Sequence, residues 1–235
     1  MIQARTSQVR SAVAGACFLV TTWLAAYSCT SLQAGSIDPA YPFPDTEKYQ
    51  SQPISETQTL IVNGGRSLVG KKTLVVNGVV YPNDCTGLVR AAYAFASIDL
   101  AYRFNRYDGN GVSRIYETLR DHGKLYAVRF PAPADLVFWD GTWDANGNGK
   151  ADDELTHVGV VLSVEADGSI QYLHFHYRLG PTIERMNLIK PDDVGIEADG
   201  PVNAIVRMRG APGISVGNAA QLFRVFGKGY RIQTP

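Results

Sequence analysis

The second half of the chain constrains the fold most. From Leu136 onward, short segments rich in Val, Ile, Leu and aromatic residues recur: Leu136–Trp139, His157–Val164, Ile170–Tyr177 and Ala204–Met208. Such runs, bounded by turn residues, read as strands, and Ala166-Asp167-Gly168 is the turn joining the second to the third. The first half is helical in pattern instead. CTGLVRAAYAFA puts Leu88, Val89, Ala92 and Phe95 or Ala96 on one stripe. SRIYETLRDHG has Ser113 as a cap, Glu117 nearby and Gly123 as terminator. Leu60, Ile61, Leu68 and Val69 fit an earlier helix face, interrupted by Asn63-Gly64-Gly65. TLVVNGVVY, residues 73–81, carries the Asn-Gly pair of a two-residue hairpin turn. Helices followed by an antiparallel meander predict an α+β domain over 54–210. A tail over 211–235 is expected to hold a short helix around Ala219–Phe226.

The N-terminus has a different character. Arg5 and Arg10 precede an uncharged, largely apolar run from Ser11 to Ser28, the pattern of an export signal. The run ends in AAYSCTS, where small residues before Cys29 resemble a bacterial lipobox, so residues 1–28 are expected to be a lipoprotein-type signal peptide with lipidation at Cys29. Ordinary cleavage near Ser28 or Ala34 is the competing reading. Residues 29–53, rich in Ser, Gln and Pro, then read as a tether. These features predict a bacterial cell-envelope location, as an outer-membrane lipoprotein facing the periplasm or the surface, with membrane contact through the lipid. The 235 residues carry 22 basic against 22 acidic side chains, a balance that argues against a nucleic-acid partner.

That leader decides how the cysteines are read. Of Cys17, Cys29 and Cys85, the first falls within the leader and the second would be acylated, which leaves Cys85 alone in the mature domain. An unpaired thiol in an exported protein is a candidate reactive group. At a helix start, unpartnered N–H groups and the helix dipole favour a thiolate, and are expected to bring its pKa toward neutrality. The same N–H groups can receive an oxyanion, and Gly87 is expected to leave room for a substrate backbone. A packed core thiol explains the cysteine equally well when it is taken alone.

A cysteine nucleophile needs a base, and the base needs an orienting group. Three of the chain's 4 histidines, His157, His174 and His176, fall close together. His157 opens one strand. His174 and His176, two apart on the next, share a face, so one of them could bond the His157 ring and fix its tautomer.

NDCTGLVRAAYA resembles the cysteine block of the NlpC-type cell-wall peptidases; PADLVFWD and HVGVVLS resemble their second and third blocks, in the family's order. The resemblance also extends to the CHAP amidases and covers about 54–208. It implies a papain-like fold, in which an N-terminal helix bearing the catalytic cysteine packs on an antiparallel sheet bearing the catalytic histidine. It implies Cys85 as nucleophile, His157 as base and His174 as third catalytic residue, without a catalytic cofactor. Thr86, Tyr81 and His176 are further candidates for oxyanion or substrate contacts, with a partly buried structural histidine as the alternative for His176. The chain departs from the pattern at Thr86, where Ser is usual, and at Ala134, where Gly is usual. The family's tyrosine-glycine motif upstream of the cysteine is missing.

Before His157 stands DANGNGKADDELTH, in which Asp144, Asn146, Asn148 and Gly149 follow the opening of a calcium loop. The Lys150 carbonyl and Asp152 fall at later ligand positions, and Asp153 or Glu154 would close the sphere, since Leu155 stands where the loop's final Glu belongs. A structural Ca2+ is therefore expected there, and an exposed Asn-Gly turn is the alternative. Together these readings predict a cysteine hydrolase that cleaves amide bonds of peptidoglycan stem peptides, as an endopeptidase or amidase. A catalytically silent calcium-stabilised binding module, or a papain-like hydrolase or acyltransferase on another substrate, are the alternatives.

Overall fold

The computed structural model describes residues 37–51, 53–198, 200–208 and 217–232. The expected signal peptide, Cys29 and the start of the tether lie outside the described residues.

Helix α1 (Glu56–Ser67) begins at a reciprocal cap: the Gln58 N–H donates to Ser55 Oγ at 3.3 Å, and the Ser55 N–H donates to Gln58 Oε1 at 3.0 Å. Gly64 does not break this helix; it seats a neighbour, since a Cβ there would stand 2.3 Å from the Phe95 ring. Strands β1 (Leu74–Val76) and β2 (Val79–Tyr81) form the expected hairpin, with Asn77 and Gly78 at φ 51° and 77°. Helix α2 (Cys85–Ala94) starts at Cys85, because Asp84 caps it by accepting the Gly87 N–H at 2.7 Å. Helix α3 (Gly111–Asp121) is capped by Asn110 and not by Ser113, whose own N–H donates to Asn110 Oδ1 at 2.9 Å.

The strands β3 (Leu125–Tyr126), β4 (Leu136–Trp139), β5 (His157–Val164), β6 (Ser169–His176), β7 (Gly180–Asn187) and β10 (Phe223–Gly227) form one antiparallel sheet, in the order β3-β10-β4-β5-β6-β7. A separate pair, β8 (Ile196–Glu197) and β9 (Gly200–Pro201), follows β7. The fold is thus mixed α+β. Helix α2 packs on α1 and on β5 and β6. Alternate strand residues sort onto the two faces. Leu136, Phe138, Val158, Val160 and Leu173 pack with the helices. Val137, Trp139, Val161, Tyr172 and Met186 pack with the C-terminal residues Leu222 and Phe226. Burial of each such side chain stabilises the fold by about 1.5–3 kcal/mol.

Three segments differ from expectation. The helix expected at Ala219–Phe226 is replaced by a turn and by β10, which fills the gap between β3 and β4, so 217–232 is part of the domain. Its alternating Phe223, Val225 and bulky Phe226 are worth more in a two-sided sheet than on a helix. Ala204–Met208 is not a regular strand: it makes one isolated bridge, Ile205 to Asn218, and bonds irregularly to its neighbours. The described part of the expected tether is bound to the domain. Asp38 accepts from Tyr116 Oη at 2.5 Å and meets Arg224, Phe43 stacks on Phe223, and Glu47 accepts the N–H groups of Arg129 and Phe130.

Candidate active site

Cys85 and His157 come from elements far apart in sequence, and the fold brings both to one cleft of about 480 Å³. Cys85 is a free cysteine at the first position of α2. The backbone of Val158, the residue after His157, and the backbone and hydroxyl of Thr86 lie beside the thiol and favour its anionic form. Thr86 also presses on the start of α3: a Cβ at Gly111 would lie 2.6 Å from its methyl group. The room at Gly87 is not substrate space as expected. A Cβ there would stand 1.9 Å from the Pro82 carbonyl, so the glycine lets the preceding turn fold over the helix start.

The loop that delivers His157 is held at several points. Leu155 adopts φ 50°, a left-handed conformation costly for a branched side chain, and its N–H donates to Asp140 Oδ1 at 2.7 Å. Asn110 Nδ2 donates to the Leu155 carbonyl at 3.3 Å, which ties the start of α3 to this loop. Thr156 Oγ1 accepts the Thr142 N–H at 2.9 Å.

His157 pairs with Trp139 across β4 and β5, and its ring lies 5.6 Å from the indole. Its Nε2 is 2.9 Å from His174 Nδ1. His174 is buried, and its other nitrogen, Nε2, lies 3.0 Å from Glu184 Oε2 on β7, close but short of hydrogen-bond alignment. Tyr172 Oη donates to the same Glu184 oxygen at 3.4 Å. The result is a line of three side chains, His157, His174 and Glu184, over an aromatic bed of Trp139 and Tyr172. Nothing in the sequence singles out Glu184. It sits on β7, whose GPTIERMN pattern alternates weakly because the strand is the sheet's edge.

His176 shares the cleft but is bound elsewhere. Its Nδ1 accepts the N–H groups of Arg178 and Leu179 at 3.1 and 3.2 Å, and its ring stacks on Tyr177. Tyr81 does not line the cleft; its ring holds the Arg90 guanidinium at 5.6 Å. The walls instead include Trp143, Tyr177, Ile205 and Met208.

Electrostatics reverse one expectation. Burial pushes the Cys85 thiol up from its ordinary value, and the adjacent Asp84 carboxylate pushes it further; the Val158 and Thr86 groups beside it only partly offset this. Burial holds His157 well below the ordinary imidazole range, with His174 and His176 adding to the shift. Both directions favour a resting pair of neutral thiol and neutral imidazole.

The Asp144 loop fits a metal only in part. Asp144 Oδ1 and Asn146 Oδ1 converge on the Asn148 N–H at 3.1 and 2.9 Å, Asn148 Oδ1 accepts the Lys150 N–H at 2.8 Å, and Asp152 accepts from Asn148 Nδ2 at 3.1 Å. Asp153 and Glu154 do not close a sphere. Asp153 is buried and accepts the N–H groups of Ala145 and Asn146, and Glu154 reaches Arg224 at 3.2 Å. Arg207 already sets a positive charge beside Asp144 and Asp153. Among the described residues no three His, Cys, Asp or Glu side chains gather as a metal-holding group.

The chain matches no protein-family model and no curated protein; the chemistry of the cleft rests on these residues and distances.

Proposed function

We propose that the chain is an exported, papain-like cysteine hydrolase that cleaves amide bonds in peptidoglycan stem peptides, as an endopeptidase or amidase. The observation that carries this is the shared cleft: Cys85, at the start of α2, and His157 line it together, and His157 is braced by His174 at 2.9 Å.

In this reading Glu184, 3.0 Å from His174 Nε2, favours the His174 tautomer with its proton on that nitrogen. His174 Nδ1 then accepts the His157 Nε2–H, and His157 Nδ1 is left with the lone pair. Because thiol and imidazole rest neutral, the proton moves as attack occurs. Sulfur bonds to the carbonyl carbon, the S–H proton passes to His157 Nδ1, and the oxyanion takes N–H groups of the first turn of α2. Collapse breaks the C–N bond, and the amine leaves with the proton from His157. Water, deprotonated by His157, then attacks the thioester, releasing the acid and restoring the thiol.

Digestion of purified peptidoglycan by wild type and Cys85→Ala, read by mass spectrometry, tests this. Fragments released by wild type alone support it; none from a folded wild type counts against it.

Export through residues 1–28 and acylation of Cys29 belong to the same proposal, and fatty-acid labelling abolished by Cys29→Ser is the expected result. Calcium on the Asp144 loop is a separate proposal resting on residue spacing, with the ligands narrowed to Asp144, Asn146, Asn148, Asp152 and the Lys150 carbonyl. Its role would be to stiffen the segment before His157. A rise in Tm with CaCl2, lost in Asp144→Asn, supports it; an unchanged wild-type Tm contradicts it.

A further inference from the structure

The rim and charge of the cleft bear on what it admits. Trp143, Tyr177, Ile205 and Met208 line it while exposing 42, 42, 48 and 37 % of their surface. Large apolar side chains left open to water around a concave site mark a binding surface. Among the described residues no lysine or arginine lines the cleft, and its one carboxylate is Asp84, beside Cys85. Burial holds two of the histidines in the lining, His157 and His176, low, which reduces the positive charge they bring to the cleft. Arg178 is exposed with its guanidinium over the Tyr177 ring at 5.4 Å; its charge reaches His176, but it is not part of the lining. Arg207, between the lining residues Val206 and Met208, turns away to the Gly141 carbonyl.

An anionic group entering such a cleft would lose hydration, find no lysine or arginine in the lining and approach a like charge. A carboxamide has nearly the same shape and none of that cost. We infer that the site selects acyl donors uncharged around the scissile bond: peptides whose nearby carboxyl groups are blocked as amides, with an apolar group for the Trp143–Tyr177 rim. This deepens the hydrolase reading and rests on it.

The test uses two fluorogenic peptides that differ only in a carboxylate or carboxamide on the residue preceding the scissile amide. Each is presented to the full chain as wild type and Asp84→Asn, and to Cys85→Ala for binding without turnover. Asn keeps the side-chain oxygen that accepts the Gly87 N–H, so the helix cap survives. In wild type at low salt kcat/KM is expected to be about tenfold higher for the carboxamide peptide, the order set by like charges several ångströms apart. The ratio should fall toward one in Asp84→Asn and with added salt. Equal values, or a preference for the carboxylate, overturn the inference. Should wild type cleave neither peptide, binding to Cys85→Ala separates the two ideas. Preferential binding of the carboxamide peptide sustains the selectivity and overturns the hydrolase reading alone; equal binding overturns both.

Discussion

His157 Nε2 meets His174 Nδ1 at 2.9 Å along a diagonal of the sheet, because the β5–β6 register sets Gly159, and not His157, opposite His174. The contact therefore depends on register, and a slip of one residue would separate the rings. Glu184 extends the line on the next strand, where it pairs with Tyr172.

Glu184 is a positioning residue in this account. Glu184→Gln is expected to lower kcat by about 10–100-fold with little change in KM, the usual size of an outer-shell effect. Glu184→Asp should recover part of the loss. Steady-state kinetics on a fluorogenic peptide check this, and circular dichroism checks that the fold is kept.

The thiol titration follows from the two opposed shifts. Because burial and Asp84 raise Cys85, the alkylation midpoint of the wild type is expected above the ordinary thiol value. Asp84→Asn removes a charge that opposes the thiolate, so its midpoint should fall. Because His157 is held low, its basic form persists below the ordinary imidazole pKa, and the acid limb of kcat/KM should lie below pH 6.5. Rates of iodoacetamide labelling and a pH–rate profile measure both.

Asp135 links stability to pH. Burial raises it from an ordinary 3.8 to about 7, against the pull of Tyr126, the Ala132 N–H and Lys228. At this group the folded state then binds more protons than the unfolded state between those values, so the contribution of Asp135 to stability is full below about pH 4 and is lost as pH rises to about 7. Urea melts across that range should show this loss, and Asp135→Asn should flatten it.

Ala134 holds φ 69°, a left-handed conformation disfavoured by its Cβ, at the position where the resembled family has glycine. Its backbone is fixed there by the Tyr93 hydroxyl, which donates to the Ala134 carbonyl at 2.5 Å, and by its own N–H donating to Val161 at 2.8 Å. Ala134→Gly relieves about 1–2 kcal/mol of that strain. It also gives up a fully buried methyl worth about 0.8 kcal/mol and adds chain entropy to the unfolded state. Thermal melts are therefore expected to show a Tm close to that of the wild type.

Much of this arrangement is legible in the sequence where local chemistry decides structure. The Asn77-Gly78 hairpin, the start of α2 at Cys85 and the bounds of β4 and β5 follow from turn residues, a cap and β-branched runs. The proximity of His157 to His174 is legible too, since a tight turn makes their strands neighbours. What stays hidden depends on distant parts of the chain. β10 reads as a helix until the slot between β3 and β4 exists, and Glu184 gains meaning only once β7 lies against β6. The direction of the thiol's shift is hidden for the same reason: the helix start is local, but the burial that overrides it is tertiary.

The central claim is that Cys85 forms a covalent acyl-enzyme with His157 as its base. It is tested most directly by acid-quenching the protein during turnover of an activated carboxamide peptide ester and locating the adduct by mass spectrometry. The predicted result is one acyl group on Cys85 in wild type, strongly reduced in His157→Ala and absent in Cys85→Ser. Turnover by Cys85→Ser at the wild-type rate, or an adduct on any other residue, would contradict it.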